Sequence, residues 1–470
     1  MNIIDTRPSV RKNQFEAALE PFLKQPGLPF AEVLSAEMVE RAFADHGGLF
    51  GQDDIFSTPT VLSAFLGQVL RDGKGESCAA AVADIATYQQ QTGGAVPSGN
   101  TGDYCRARAK LKVPALRHLV VQAAEQLQEQ AQPAWRWRGL DAKLIDGFTF
   151  TMPDTVDNQE EFPQQKSQRP GAGFPIARAC AVLSLATAAI CDLNIGPYQG
   201  KETGESALLR GILDCLREGD MAVFDRYYCS FLMLALVRMR GVHFCTPLHQ
   251  RRSSDFRRGQ RLGKDDHLVT WTRPKRPDWV SEELYAQIPE TLTLREVRFS
   301  VTVPGRRTET LTVVTSLTDP KVYSKEDIAE LYGFRWNAEL DIRDIKQTLG
   351  LDHARCVTPE MVRREVWVTL LAYNLIRKVI ATAAAVHEKQ PRQLGFTLAC
   401  QTVLSAWMLL ATGACRNAGE LRRLALERIA ANEVANRPGR IEPRVIKRRR
   451  DHYPLMHEPR GELRRKLPVT

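Results

Sequence analysis

The stretch from Ser324 to Gly350 gathers side chains that can handle phosphate and metal: Tyr332, Arg335, Glu339 and Lys346. Ser324 with Asp327 forms a capping-box start and Gly350 a stop, so the spacing predicts one helix of roughly seven turns. On that helix Ile328, Leu331, Phe334, Ala338, Ile342, Ile345 and Leu349 make a buried stripe, and the four polar residues form a row along its edge. A carboxylate flanked by a phenol and two cations can hold a divalent ion and grip phosphates. The helix alone also fits a solvated face on which Arg335 and Glu339 make an ordinary i,i+4 pair. Two further carboxylates change the balance. Asp146, in the strand-like run Leu144 to Met152, shares the apolar face of Leu144, Phe148, Phe150 and Met152, where an unpartnered carboxylate costs several kcal/mol. Asp225 closes the short apolar run Met221-Ala-Val-Phe224, at the strand edge where open α/β sheets place their ligands. Either aspartate alone could be a hydrogen-bonded structural residue. Two strand-borne aspartates and a helix-borne glutamate are what a two-metal phosphoryl-transfer site requires: hard oxygen ligands holding two Mg²⁺ roughly 4 Å apart. Such a site needs no covalent nucleophile, because positioning and charge neutralisation do most of the catalysis.

The pattern Y-x-x-R-x-x-x-E-x-x-x-x-x-x-K, met by Tyr332, Arg335, Glu339 and Lys346, resembles the signature of bacterial DDE transposases of the insertion-sequence-four family. Asp146-Gly147 looks like that family's first-aspartate motif and Asp225-Arg226-Tyr227-Tyr228 like its second. Arg169-Pro-Gly-Ala-Gly-Phe-Pro-Ile-Ala177 and Lys447-Arg-Arg-Arg-Asp-His-Tyr-Pro-Leu-Met456 are similar to further family segments, so the resemblance runs from about residue 50 to 456. It implies a ribonuclease-H-like core with a β-rich insertion before the glutamate helix. Asp146, Asp225 and Glu339 would be the catalytic, metal-binding triad, with Mg²⁺ as cofactor and Mn²⁺ able to substitute. Tyr332, Arg335 and Lys346 would contact phosphates at the element's end, and Trp336 would stack on an unpaired base there. The partners implied are double-stranded DNA, both terminal inverted repeats and target, and a second copy of the chain in the synaptic complex. In members that make hairpin ends an aromatic of the insertion grips a flipped base; Trp271 and Trp279 are the candidates by location, and packing of a β subdomain accounts for both as well.

The elements that must position these residues divide the chain five ways. Residues 1–135 read as a helical N-terminal, DNA-binding domain, with helices after Thr58, through Cys78, Val82 and Ile85, and from near Asn100 carrying Arg106, Arg108, Lys110 and Lys112. A helix-turn-helix-like reader and an ordinary helical subdomain fit this pattern equally. Residues 136–248 alternate apolar strands with helices as the first part of an α/β core, including Leu144 to Met152, Ala179 to Asp192 and a helix over Glu205 to Leu216. Residues 249–320 read as a β-strand insertion, in which Val297, Phe299, Val301 and Val303 alternate with polar residues before the Pro304-Gly305 turn. The core resumes over 321–385 with the glutamate helix, and 386–470 is a helical region ending in a basic tail.

The 470 residues, 43% hydrophobic and 25% charged, exclude a small disulfide scaffold and a wholly disordered chain. From Arg437 to Lys466, eleven basic residues face four acidic ones, so this tail holds seven of the nine net positive charges and predicts a polyanionic partner. Ten cysteines without a CxxC pair and an N-terminus without an apolar signal predict a cytoplasmic protein, associated with the nucleoid under the transposase reading. The uncharged run Gln393 to Cys415 is long enough to cross a bilayer, but its Gln, Thr and Ser residues favour a buried helix. His243-x-Cys245-x-x-x-His249 lacks a fourth metal ligand and reads as strand, and Gly171-Ala-Gly173 reads as a turn. Two other functions remain possible on sequence: an inactive or domesticated DNA-binding descendant of a transposase, and a two-metal nuclease on the same core.

Overall fold

A computed structural model describes residues 36–51, 54–71, 73–301, 309–411, 417–434 and 458–466. The Pro304-Gly305 turn and the basic tail up to residue 457, including the segment 447–456, lie outside these residues. The described residues form two compact units, one from the chain up to 136, 186–192 and 340–434, the other from 137–185, 193–339 and the C-terminal stretch.

The first unit is built on helices. Pro359–Val386 is buried almost all round and packs against Thr58–Leu70 and Val113–Glu129. It is a described helix long and apolar enough to cross a membrane, and most of it is buried inside the protein. Its fully buried Asn374 donates to the carbonyls of Val120 and Ile190 and accepts from the Ile190 N–H, so this polar side chain satisfies three backbone groups. In the short helix Gly102–Arg108, Arg106 pairs with Asp103 and the Arg108 guanidinium lies over the Phe65 ring at 4.6 Å. Arg108 is therefore committed to packing within the unit. The run predicted as a buried helix near 393–415 forms Phe396–Ala411, with Val403, Ala406 and Trp407 buried.

A mixed sheet dominates the second unit. Its described strands are β1 (Ala142–Thr151), β2 (Ile176–Ser184), β3 (Ile190–Pro197), β4 (Met221–Phe224), β5 (His243–Pro247), β6 (Gln260–Gly263), β7 (Asp266–Thr272), β8 (Thr291–Val301) and β9 (Glu309–Thr315), in the order β3-β2-β1-β4-β5-β9-β8-β7-β6. β1 runs antiparallel to β2 and parallel to β4, and β4 runs parallel to β5. β4 is buried at all four positions, which is why Met-Ala-Val-Phe carries no polar alternation. The strands of the 249–320 region, β6 to β9, continue the same sheet through the antiparallel pair β5–β9. Val297 faces Val313 and Phe299 faces Leu311 across the antiparallel pair β8–β9. A buried ion pair, Arg295 to Asp266 at 2.6 Å, pins β8 to β7.

Two helices differ from the sequence expectation. Glu205 to Leu216 is helical only over Glu205–Arg210, followed by a 3₁₀ turn at Leu213–Cys215. The glutamate helix is broken: Lys325–Gly333, which keeps its Ser324–Asp327 capping box, ends at Phe334, and a second helix runs Trp336–Arg343 into a π-helical turn at Asp344–Thr348. Between them Arg335 N–H bonds to Tyr332 O, Asn337 N–H to Phe334 O and Ala338 N–H to Arg335 O, a tightening to i→i+3 geometry. Gly333 weakens the helix here, and the Asn337 amide caps the Phe334 carbonyl, offering it a partner outside the helical ladder. The buried stripe survives the break at Ile328, Leu331, Ala338, Ile342, Ile345 and Leu349, while Phe334 is only half-buried.

Candidate active site

The register of two parallel strands sets the site. Ile145 of β1 is the partner of Phe224 of β4, and one residue further along each strand come Asp146 and Asp225. Asp225 is still extended (φ −74°, ψ 166°), so the two aspartates leave adjacent strands, roughly 4.8 Å apart, at the same level. Each carboxylate accepts from the next backbone N–H: Gly147 to Asp146 at 2.9 Å and Arg226 to Asp225 at 2.6 Å. Thr246 of β5 donates to the Asp225 carbonyl at 3.0 Å and fixes the turn that follows.

Glu339 and Arg335 come from the broken helix. Arg335 donates to Glu339 Oε1 at 2.6 Å through Nη2 and to Asp146 Oδ2 at 3.3 Å through Nη1. One guanidinium thus bridges a strand carboxylate and a helix carboxylate. Burial still outweighs that cation at Asp146 and pushes its carboxyl up to about 6, with Glu339 and Glu205 adding to the rise. Burial pushes the Tyr332 hydroxyl up to about 12 against the opposing pull of the Arg335 cation, so it stays a neutral donor. Asp146, Asp225, Glu339, Tyr332 and Arg335 are thereby brought together. Trp336 stands beside them in sequence with 54% of its surface exposed. Lys346 falls in the other compact unit, in the π-helical turn, and pairs with Asp352 at 2.7 Å.

The donor set is all carboxylate oxygen, which suits a hard divalent cation. Among the described residues no three acidic, His or Cys side chains close to a ready-made ligand cage, and positive charge between Asp146 and Glu339 is supplied by Arg335. The carboxylates fit a metal that takes over part of that neutralisation.

Glu205 is a further acidic neighbour, half-buried, raised by burial and by Asp225 against the opposing pull of Arg178. No spacing pattern marks it; the only local sign is the glycine after Asp146. Trp271 is buried, donates to Glu296 at 3.2 Å and lies under the Arg252 guanidinium, so its ring is spent on packing. Trp279 lies under Arg210, 3.9 Å from the ring centre. His243 to Pro247 is strand β5, and residues 170–173 form a turn, as expected.

The chain is similar to known transposases. A family described as "Transposase DDE domain" matches residues 137–375, just over half of the chain. The InsG transposase of insertion sequence element IS4 from Escherichia coli K12 is 29% identical over 359 residues, covering 74% of this chain and 77% of that protein. The putative transposase InsZ of the same organism is 22% identical over 154 residues, 32% of this chain and 50% of that protein. Among solved structures, a piggyBac transposase synaptic complex with hairpin DNA superposes with a TM-score of 0.44 at 10% identity, covering 90% of this chain and 86% of that one. The chain belongs to the transposase DDE domain family and is a DDE transposase of the IS4 type.

Proposed function

We propose that this transposase cleaves DNA at the terminal inverted repeats of its own element and joins the freed 3′-OH ends to target DNA, with Asp146, Asp225 and Glu339 as its metal-binding carboxylates. The observation that carries this reading is the pairing of Ile145 with Phe224, which sets the two aspartates side by side, together with the Arg335 bridge from Asp146 to Glu339. A mixed sheet whose aspartate strands are parallel neighbours supports a ribonuclease-H-like core extended by β6 to β9. The acidic oxygen donors suit two Mg²⁺ ions, with Mn²⁺ as substitute. Held by these carboxylates, such ions would supply activation of the attacking oxygen and stabilisation of the leaving one.

The chain's own groups then divide the remaining work. Arg335, released from the carboxylates, turns its fork of donors to a phosphate, and the neutral Tyr332 hydroxyl donates to another. Lys346 adds a point charge to the DNA backbone, and exposed Trp336 offers a face for an unpaired base. The cluster of basic residues from Arg437 to Lys466 suits a salt-dependent, sequence-independent hold on DNA, with a second copy of the chain holding the other end.

The test is incubation of full-length protein with a plasmid carrying the DNA that flanks its gene, in Mg²⁺ and in EDTA, with breaks mapped by sequencing. Metal-dependent breaks confined to an inverted-repeat boundary and lost in Glu339→Gln are expected. Binding without breaks would indicate an inactive descendant, and scattered breaks a general nuclease.

A further inference from the structure

The aspartate of β1 is followed by a glycine, and the structure gives a steric reason. A Cβ on Gly147 would stand 2.3 Å from Glu205 Cδ and 2.6 Å from its Oε1. Only a hydrogen leaves room for the Glu205 carboxylate against the backbone one residue beyond Asp146. Glu205 opens the helix Glu205–Arg210, which packs on β2 and on the turn Arg226–Tyr228 that follows Asp225. Ser206 Oγ donates to the Tyr227 carbonyl at 3.2 Å, tying helix to turn. The Tyr228 hydroxyl, 3.3 Å from Cys180 Sγ, favours the charged form of Glu205. Glu205 is thus wedged between the two aspartate-bearing segments.

Charge around it is lopsided. Asp146 and Glu339 share the Arg335 guanidinium, whereas Asp225 and Glu205 make no ion pair among the described residues. The opposing charge nearest in effect is Arg178, which is already engaged: Nη1 donates to Thr203 O at 3.3 Å and the guanidinium stacks on Tyr198 at 4.5 Å. Two half-buried carboxylates of neighbouring segments without an ion pair are costly, and a divalent cation between them offsets that cost.

We propose that Glu205 is a fourth carboxylate of the metal centre, giving a hard oxygen donor to a cation shared with Asp146 and Asp225. This rests on the two-metal reading of the site. Gly147 keeps the place of that carboxylate open, which links the Asp-Gly pair of β1 to a residue far along the chain.

The experiment is Mn²⁺ titration of the full-length protein followed by electron paramagnetic resonance, for the parent chain, Glu205→Gln, Gly147→Ala and Asp225→Asn. Glu205→Gln is expected to weaken Mn²⁺ roughly 10- to 100-fold, the scale seen on losing a supporting group of a metal site. Binding to element ends in EDTA should be unchanged. Gly147→Ala keeps every charge but displaces the Glu205 carboxylate, and should weaken Mn²⁺ likewise; it decides the matter alone if Glu205→Gln does not fold. Loss of Mn²⁺ in Asp225→Asn with parent-like binding in both other variants would overturn the role of Glu205 and leave the triad standing. Parent-like binding in all three would overturn the two-metal reading itself.

Discussion

Arg335 Nη1 stands 3.3 Å from Asp146 Oδ2 while its Nη2 holds Glu339 at 2.6 Å, so a helix cation neutralises carboxylates of two different elements. A guanidinium cannot shed its charge, and here it is mostly buried, with 17% of the side chain exposed. Arg335→Ala leaves those carboxylates without a cation and should cost the metal-free protein roughly 1–3 kcal/mol near neutral pH. The loss should shrink as acid protonates the carboxylates, and Mn²⁺ should stabilise the variant more than it stabilises the parent. Urea midpoints with and without Mn²⁺, taken from about pH 5 to 8, measure both effects. Equal stabilisation of the two proteins would mean that guanidinium and metal do not compete.

Glu339→Gln is nearly isosteric and can still accept from Arg335. Binding to element ends should therefore survive, while cleavage falls by roughly 10³-fold or more, the scale of losing a main charge-stabilising group. Gel-shift and cleavage assays on one preparation separate the two. A parallel loss of both would make Glu339 a structural residue.

Much of this site was legible because it follows strand and helix rules. An aspartate on the apolar side of Leu144 to Met152 and another closing Met221 to Phe224 were marked by the cost of burying a carboxylate, and the register of β1 on β4 sets them abreast. The glutamate helix is less straight than its periodicity implies. Periodicity carries through Gly333 and Asn337, and the competition between the Asn337 side chain and the helical ladder at Phe334 shows only in three dimensions. Glu205 is marked in the sequence only indirectly, by the glycine after Asp146, since its place depends on a hydrogen at Gly147 that no spacing rule connects to it. In the helix after Asn100, Arg108 reads in sequence as a surface charge, yet its planar head stacks on Phe65.

Asp146 gives the metal-free protein a pH signature. Its carboxyl is raised from 3.8 to about 6, chiefly by burial, so over that window the folded protein holds a proton that the unfolded chain has released. Stability from this group therefore falls as pH rises from about 4 to 6 and stays low above. Asp146→Asn removes the ionisation and should stabilise the metal-free protein by roughly 3 kcal/mol near pH 8, with the gain gone below about pH 4. Mn²⁺ affinity of the parent should rise through about pH 6, as the metal replaces the proton. A flat stability difference across this range would contradict the burial of Asp146.

Asp341 anchors a different part of the structure. Its carboxylate, 3% exposed, accepts from Arg377 Nη2 at 3.0 Å and from both terminal nitrogens of Arg392, at 3.1 and 2.8 Å. Arg377 is itself 5% exposed and reaches Asp344 at 3.1 Å. Asp341→Ala leaves a buried guanidinium with one acid in place of two, and should cost about 3–5 kcal/mol. Because arginine keeps its charge at any working pH, titration offers no escape, and the loss should be the same at about pH 6 and 8. Replacing Asp341 and Arg377 together with leucine removes the buried charge at both ends, while Arg392, 17% exposed, can turn to water. The double variant should recover most of the stability lost in Asp341→Ala. Chemical denaturation of the single and double variants measures the coupling, and additive losses would show that the two residues act independently.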